Sequence, residues 1–407
     1  MPRSSTSSLE SVRAEQLKRL RQGLPAVLRG NRFYRERLHD VRSWDDFERL
    51  PFTTKAELVA DQAAAPPFGT NLTFGLDHYV RLHQTSGSSG QAPLRWLDTA
   101  ESWAWWRRIW AEHVYEAAGV TARDRVLLAF SFGPFIGFWS AFAGAEQLGA
   151  LVIPGGAMTT EQRARALMDL GVTVLCCTPT YALRLAEVGA ELGLDLSASP
   201  LRVTIHAGEP GASIPATRDA IDRAFGAYAM DHSGMTELGP TGFSCVMRDG
   251  LHLVESEFIF EEVNDELIAT NLGRWGSPVI RYRTGDRVQL SREACPCGSP
   301  FPKLLGGILG RVDDMITVRG VNLYPSQIEG IVRRHPEVVE FVIEHRRERH
   351  LDEVTLVVEC ADGAGLEAAL GSELRAALGA RIGVRQVAPG TLPRAELKAK
   401  RLIRIES

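Results

Sequence analysis

An α/β fold in two unequal parts is predicted for this chain, and three observations predict it. From Val80 to about Met230, strand-like and helix-like segments alternate, a pattern that calls for largely parallel sheets. After Gly242 the pattern changes to β-rich runs with short turns. Beyond Leu309-Gly310 a hairpin signal, RVDDMITVRG, opens a last stretch of alternating helix and strand. The expected organisation is a large N-terminal domain of several subdomains (1–309) with mixed and parallel sheets. It would include a small β-rich subdomain at about 242–309, and a small α+β C-terminal domain (310–407) would follow.

The first fifty residues read as helices. Leu9, Val12, Leu17, Leu20 and Leu24 recur at roughly helical spacing, and Pro25 marks a new segment. VRLHQT is strand-like, and TAESWAWWRRIWAEHVYEAAG is a helix with an aromatic face. RVLLAF, ALVIPG, VTVLCCTP and RVTIHAG are further strands, with FWSAFAGAEQLG and ATRDAIDRAFG among the helices between and after them. LHLVESEFIFEEV, DELIATNL and VIRYRTGDRVQL carry the β-rich part.

At 407 residues the chain exceeds one ordinary domain of ~100–200 residues. Apolar residues make 44% and charged residues 24%, an ordinary globular balance. A net charge of −4 argues against a dedicated nucleic-acid surface, which is usually basic. The N-terminus lacks the apolar core of a signal peptide, so a cytoplasmic protein is expected. Val126 to Ala145 is 20 residues without a charge, about the length of a membrane span. Gly133-Pro134 and two serines interrupt it, and a strand, a turn and a buried helix fit better; no membrane partner is expected. Of the six cysteines, Cys176 and Cys177 lie in an apolar strand and read as core.

Five segments carry possible chemistry. Thr85-Ser86-Gly87-Ser88-Ser89-Gly90-Gln91-Ala92-Pro93 follows a strand; glycines let its backbone approach an anion, and hydroxyls and amides can cradle phosphate. It lacks the closing Lys-Ser or Lys-Thr of a Walker A loop, and taken alone such a Ser/Gly loop is more often a plain turn. In Asp231-His232-Ser233-Gly234-Met235-Thr236-Glu237, a glutamate beside a phosphate cradle can hold magnesium, a hard cation wanting oxygen; the plain alternative is a helix-capping turn. Arg281-Tyr282-Arg283-Thr284-Gly285-Asp286 offers a carboxylate after a glycine turn, suited to two ribose hydroxyls, or merely a hairpin turn. Leu309 to Ile316, through Arg311, Asp313 and Asp314, sits at the expected boundary, where an arginine can reach a nucleotide and an aspartate can hinge. Pro393 to Arg401 is a basic segment: a solvated charge run, or a lysine delivered to a phosphate or carboxylate.

In this order and spacing the five segments resemble the adenylate-forming superfamily of acyl-CoA synthetases, adenylation domains and luciferases, and within it the phenylacetate–coenzyme A ligase branch. The likeness runs from Leu50-Pro51-Phe52-Thr53-Thr54-Lys55 to Lys398 and includes MTTEQRARALMDLGVTVLCCTPTYALRLAE. It implies a mobile C-terminal domain and an active site between the two domains. Thr85, Ser86, Gly87, Ser88, Ser89 and Gly90 would grip ATP phosphates. Gly208, Glu209 and Pro210 would line the adenine site, opposite Asp231, His232 and Ser233. Thr236 would touch the α-phosphate, Glu237 would hold magnesium, and Asp286 with Arg311 would bind the ribose. Asp313 would be the hinge and Lys398 the catalytic lysine.

Three departures stand out. Gln91-Ala92-Pro93 replaces the usual Gly-Lys-Pro, Ser233 replaces a tyrosine, and Leu397 replaces the glycine before the catalytic lysine, which leaves Lys400 as an alternative to Lys398. Spacing alone leaves Cys245, His252, Cys295 and Cys297 open between a zinc site and plain thiols, since C-x-C is tighter than the usual zinc spacing; the resemblance implies a structural zinc there. It also implies an acyl pocket along Phe130 to Phe138 and beside His206-Ala207, with Phe132, Phe135, Gly137, Ala207 and Gly234 among the contacts and an aromatic ring as guest. Phe138 stands where glycine is common, and His206 reads as structural rather than as a ring contact. The expected partners are a small aromatic acid, ATP, Mg2+ and coenzyme A. A carrier-protein thiol, an amine or a hydroxyl is the alternative acceptor, and a non-catalytic adenylate-binding homologue is the remote one. The oligomeric state stays open, with a homodimer among the possibilities.

Overall fold

The computed structural model describes residues 9–85, 93–318, 321–348, 351–361, 363, 365–394, 399 and 401–405. Its centre is a nine-stranded sheet. Five parallel strands, Leu151–Pro154, Arg125–Leu128, Val174–Cys177, Val203–His206 and Tyr228–Met235, lie side by side in that order. Val174–Cys177 and Val203–His206 are buried throughout, as strands covered on both faces must be. The helices Ile136–Leu148, Thr160–Asp169, Pro179–Glu191 and Pro215–Phe225 connect them.

The β-rich stretch is divided between two sheets. Gly239–Phe243, Gly250–Leu253, Lys303–Leu305 and Leu290–Ser291 continue the central sheet as antiparallel strands, because Tyr228–Met235 turns back on itself in a hairpin. Phe258–Val263, Glu266–Asn271, Tyr282–Arg287 and Gly310–Arg311 form a separate four-stranded sheet. The strand that precedes Thr85 belongs to neither; Tyr79–Gln84 pairs with Arg95–Thr99 in its own antiparallel hairpin.

Pro25 does not begin a segment: one helix runs from Leu9 to Gly30 through it. Leu20, Leu24 and Val27 are fully buried in the main core, and that burial holds the helix across a residue that cannot donate its N–H. The uncharged stretch splits as expected into a strand and the helix Ile136–Leu148, and among the described residues no helix is long and apolar enough to cross a membrane.

From Ile316 onward the buried apolar side chains pack with one another in a cluster of their own. There the hairpin Ile316–Val318/Val321–Leu323 precedes a sheet ordered Gly383–Val387, Leu351–Glu359, Glu340–Glu348, Leu402–Ile405, with the helices Pro325–Val332 and Leu366–Leu378.

Candidate active site

In a parallel sheet, the loops leaving the C-terminal strand ends meet at one edge, where ligands usually bind. Here these loops are residues 129–135, 178, 207–210 and 231–237, which follow or end four adjacent strands. His206 and Asp231 are register partners, so Ala207 to Pro210 and Asp231 to Glu237 emerge side by side. Gly208 has φ +98, a backbone state that favours glycine.

Asp231 is buried. Its Oδ2 accepts from the Ser213 amide at 3.1 Å and from the Ser213 hydroxyl, and burial pushes its carboxyl up to about 6 against these bonds. His232 donates from Nδ1 to the Gly242 carbonyl at 2.7 Å, and burial pushes its imidazole down to about 4, so it is neutral near pH 7. Its ring lies 4.3 Å from that of Trp110. Ser233 Oγ is 3.0 Å from Thr241 Oγ1. The following turn is the tip of a β-hairpin, Tyr228–Met235 to Gly239–Phe243, rather than a helix cap. Gly234 is exposed, and a Cβ there would lie 2.9 Å from the Gly239 carbonyl oxygen.

Glu237, Tyr282, Asp286, Arg311 and Asp313 come together. Buried Glu237 accepts a 3.3 Å hydrogen bond from the Tyr282 hydroxyl. Asp286 pairs in register with Arg311, whose guanidinium bonds Asp286 Oδ1 and Asp313 Oδ1, each at 3.1 Å, and the Thr284 carbonyl at 3.0 Å. Burial pushes the Asp286 carboxyl up to about 6, with Arg311 opposing and Asp313 and Glu237 reinforcing the shift. Gly285 sits at φ +72, a backbone state that favours glycine, and a Cβ there would come within 2.9 Å of the Arg311 guanidinium.

Glu209 accepts from the Thr180 amide at 2.8 Å, in the first turn of Pro179–Glu191, and from the Ala399 amide at 2.9 Å. Burial raises its carboxyl above the ordinary value despite those two bonds. Ala399, the residue between the two candidate lysines in sequence, thus touches Glu209 of the Gly208–Pro210 loop. Lys398 and Lys400 themselves fall outside the described residues, as do Ser86, Gly87, Ser88, Ser89 and Gly90. Thr85 is described: its hydroxyl accepts from the Leu94 amide at 3.0 Å. The neighbouring Gln84 amide donates to the Pro134 carbonyl at 2.7 Å, tying this hairpin to the phenylalanine-rich segment.

In that segment Phe132 and Phe135 are half-buried and Gly137 is exposed. Phe132 packs edge-on against Trp139 at 4.8 Å and Phe142 at 5.8 Å. Phe138 is buried with its ring 3.9 Å from that of Phe130, so it fills core space. Ala207 is partly buried against the main core. His206 faces no open space: Nδ1 is 3.2 Å from the Cys177 carbonyl and Nε2 is 2.8 Å from Thr204 Oγ1.

Cys245, His252, Cys295 and Cys297 bring their ligand atoms within 4.8 Å of one another. Cys245 and Cys295 sulfurs are 3.8 Å apart, and Cys297 Sγ is 3.4 Å from His252 Nε2. A tetrahedral zinc with Zn–S bonds of ~2.3 Å sets its sulfurs about 3.8 Å apart, so the geometry fits that ion. His252 Nδ1 donates to the Phe301 carbonyl at 2.8 Å, which leaves the Nε2 lone pair facing the sulfurs. Lys303 Nζ, 3.9 Å from Cys295 Sγ, favours thiolate there.

Sequence reasoning missed Tyr282 as a partner of Glu237, Ser213 as a partner of Asp231, and a buried Asp98–Arg274 pair behind Thr236. Tyr282 was within reach, since it lies inside a motif already singled out. The Asp98–Arg274 pair was not, because no local pattern links residues that far apart.

Residues 320–404 match the family model described as the AMP-binding enzyme C-terminal domain. The chain is 32% identical over 387 residues to a phenylacetate-coenzyme A ligase of Thermus thermophilus, covering 89% of this chain and 84% of that protein. It is 31% identical to the Escherichia coli enzyme of the same name, covering 98% of this chain and 95% of that one. A crystal structure of 2-hydroxyisobutyryl-CoA ligase in the postadenylation state, with 2-HIB-AMP, superposes with a TM-score of 0.92 at 28% identity, covering 100% of this chain and 94% of that chain. The same ligase in its thioesterification state, with 2-HIB-AMP and CoA, gives a TM-score of 0.72 at 30% identity, covering 98% and 91%. The chain belongs to the phenylacetate–coenzyme A ligase family of AMP-forming acid–thiol ligases.

Proposed function

We propose that this protein joins a single-ring aromatic acid to AMP and then passes the acyl group to coenzyme A, in the cytoplasm. One observation carries the reading: Glu237, Tyr282, Asp286 and Arg311 converge beside the strand-end loops, in a chain of this family. Ionised Asp286 would accept both ribose hydroxyls, with Arg311 fixing its carboxylate. Gly208 to Pro210 and Asp231 to Ser233 would flank the adenine, and Thr236 and residues 85–90 would meet the phosphates. Glu237 is a buried oxygen donor that fits magnesium, an ion that would supply positive charge against the phosphates.

The acid's carboxylate oxygen attacks the α-phosphorus, and the bond to pyrophosphate breaks. Two anions must approach, and Lys398 would offset that charge. A thiolate then attacks the acyl carbon, and AMP leaves. Water competes for the acyl-AMP, so a covering domain protects it. Residues 1–309 would form the adenylation core and 310–407 the mobile lid, hinged at Asp313. The separate apolar cluster beyond Ile316 supports that division. The drop in TM-score from 0.92 to 0.72 between two states of one neighbour supports the movement. Cys245, His252, Cys295 and Cys297 would hold a structural zinc remote from turnover.

Phe132 and Phe135 favour an aromatic guest. A second reading, a small branched hydroxy acid, is favoured by the neighbour that carries 2-HIB-AMP. ATP–pyrophosphate exchange across benzoate, hydroxybenzoates, aminobenzoates, phenylacetate and 2-hydroxyisobutyrate tests both, followed by CoA and mass detection of the thioester. An aryl acid is expected to give the fastest exchange and an aryl-CoA product. Fastest exchange with 2-hydroxyisobutyrate selects the second reading. AMP release without a thioester selects another acceptor.

Asp286 also predicts a pH effect. Its folded-state pKa of about 6 exceeds the ordinary 3.8, so acid protonates it before most surface carboxylates and removes a hydroxyl acceptor. The KM for ATP is expected to rise by roughly tenfold per pH unit below about 6. Asp286→Asn is expected to show a high, pH-independent KM; a wild-type profile in that variant would remove Asp286 from the ribose site.

A further inference from the structure

Behind the Thr236–Glu237 turn lies an ion pair with no exposed side-chain surface on either partner. Asp98 Oδ1 and Oδ2 accept from Arg274 Nε and Nη2, each at 2.7 Å. The remaining nitrogen, Nη1, donates to the Thr236 carbonyl. The rings of Trp106 and Trp96 flank the guanidinium at 5.1 and 5.6 Å, and His83 Nδ1 lies 3.5 Å from Asp98. Burial is the largest influence on the Asp98 carboxyl and pushes it up, but the charge of Arg274 and the hydrogen bonds from His83 and Arg274 together hold the group below its ordinary range.

Taking both charges out of water is costly, and an apolar pair of similar volume often stabilises a core as well or better. Stability alone therefore gives little reason for this pair, but its position does. His83 and Asp98 lie on the two paired strands that enter and leave residues 85–94. Arg274 lies a few residues before Arg281 to Asp286. The pair thus joins the hairpin carrying the phosphate-loop candidate to the turn carrying Thr236 and Glu237.

We propose that Arg274, clamped by Asp98, is a positioning residue that sets the Thr236–Glu237 turn relative to the paired strands Tyr79–Gln84 and Arg95–Thr99. This rests on the reading of Thr236 and Glu237 as nucleotide-site residues. Arg274→Lys keeps the charge but cannot hold Asp98 through two nitrogens and the Thr236 carbonyl through a third. The double variant D98L/R274M removes the pair without stranding a charge.

Both variants are compared with wild type by circular dichroism, thermal melting, ATP–pyrophosphate exchange and magnesium titration. Thioester formation is measured separately from preformed acyl-AMP and CoA. For variants that fold, kcat/KM for ATP in exchange is expected to fall by about tenfold or more, while KM for the acid and the thioester step stay within about twofold. The magnesium concentration for half-maximal exchange is expected to rise. Wild-type exchange in a folded variant overturns the proposal, as does loss of fold in both variants, which would make the pair structural. Glu237→Gln, run in parallel, checks the underlying reading: if it exchanges normally that reading fails, whereas its loss beside a normal Arg274→Lys removes this inference alone.

Discussion

Lys398→Ala is expected to slow acyl-AMP formation by roughly 10²–10³-fold, the usual effect of removing one preorganised charge from a developing anionic centre. ATP–pyrophosphate exchange reads this half-reaction directly. Thioester formation from preformed acyl-AMP should be nearly unchanged, because attack on an acyl carbon no longer brings a carboxylate against a phosphate. Lys400→Ala is the control. Leu397 stands where a glycine would single out its neighbour, so local sequence leaves two candidates, and Ala399 between them touches Glu209. A large exchange defect in Lys400→Ala with a normal Lys398→Ala would reassign the role. Normal exchange in both would remove this segment from adenylation.

Cys297→Ser and Cys245→Ser are each expected to lose one bound zinc per chain, measured by elemental analysis of purified protein. The cost should be several kcal/mol of stability, or a fall in melting temperature of the order of 10 °C. The site's ligands join different parts of the antiparallel region: His252 lies on Gly250–Leu253, Cys245 just before it, and Cys295 and Cys297 between Leu290–Ser291 and Lys303–Leu305. Without the ion these strands would lose their cross-link, while Glu237 and Asp286, outside the cluster, would keep their own partners. The variants should therefore retain near-normal exchange well below their melting point. Wild-type protein that binds no zinc, or a serine variant that melts normally, would leave the four residues as plain thiols and an imidazole.

Much of the fold was legible because it is written in local periodicity. The four strand–helix alternations after Arg125 and the hairpin after Asp314 were visible as runs of apolar residues broken by turns. Pro25 misled as a break, because propensity is a weak local preference and burial of Leu20, Leu24 and Val27 overrides it. The turn before Glu237 could be recognised as a turn, but whether a helix or a strand followed depended on pairing with Gly239–Phe243.

The sequence by itself determined the family, the order of the motifs and the residue types able to meet a nucleotide, since each resides in a few consecutive positions. Tertiary structure alone decided that the antiparallel strands extend the parallel sheet, that three cysteines and a histidine bring their ligand atoms within 4.8 Å of one another, and that Arg274 reaches Thr236 while gripping Asp98. The physical reason is range. Turn chemistry and periodicity act between neighbours in the chain, whereas hydrogen-bond pairing, ligand clustering and buried charge act between residues that only packing brings together.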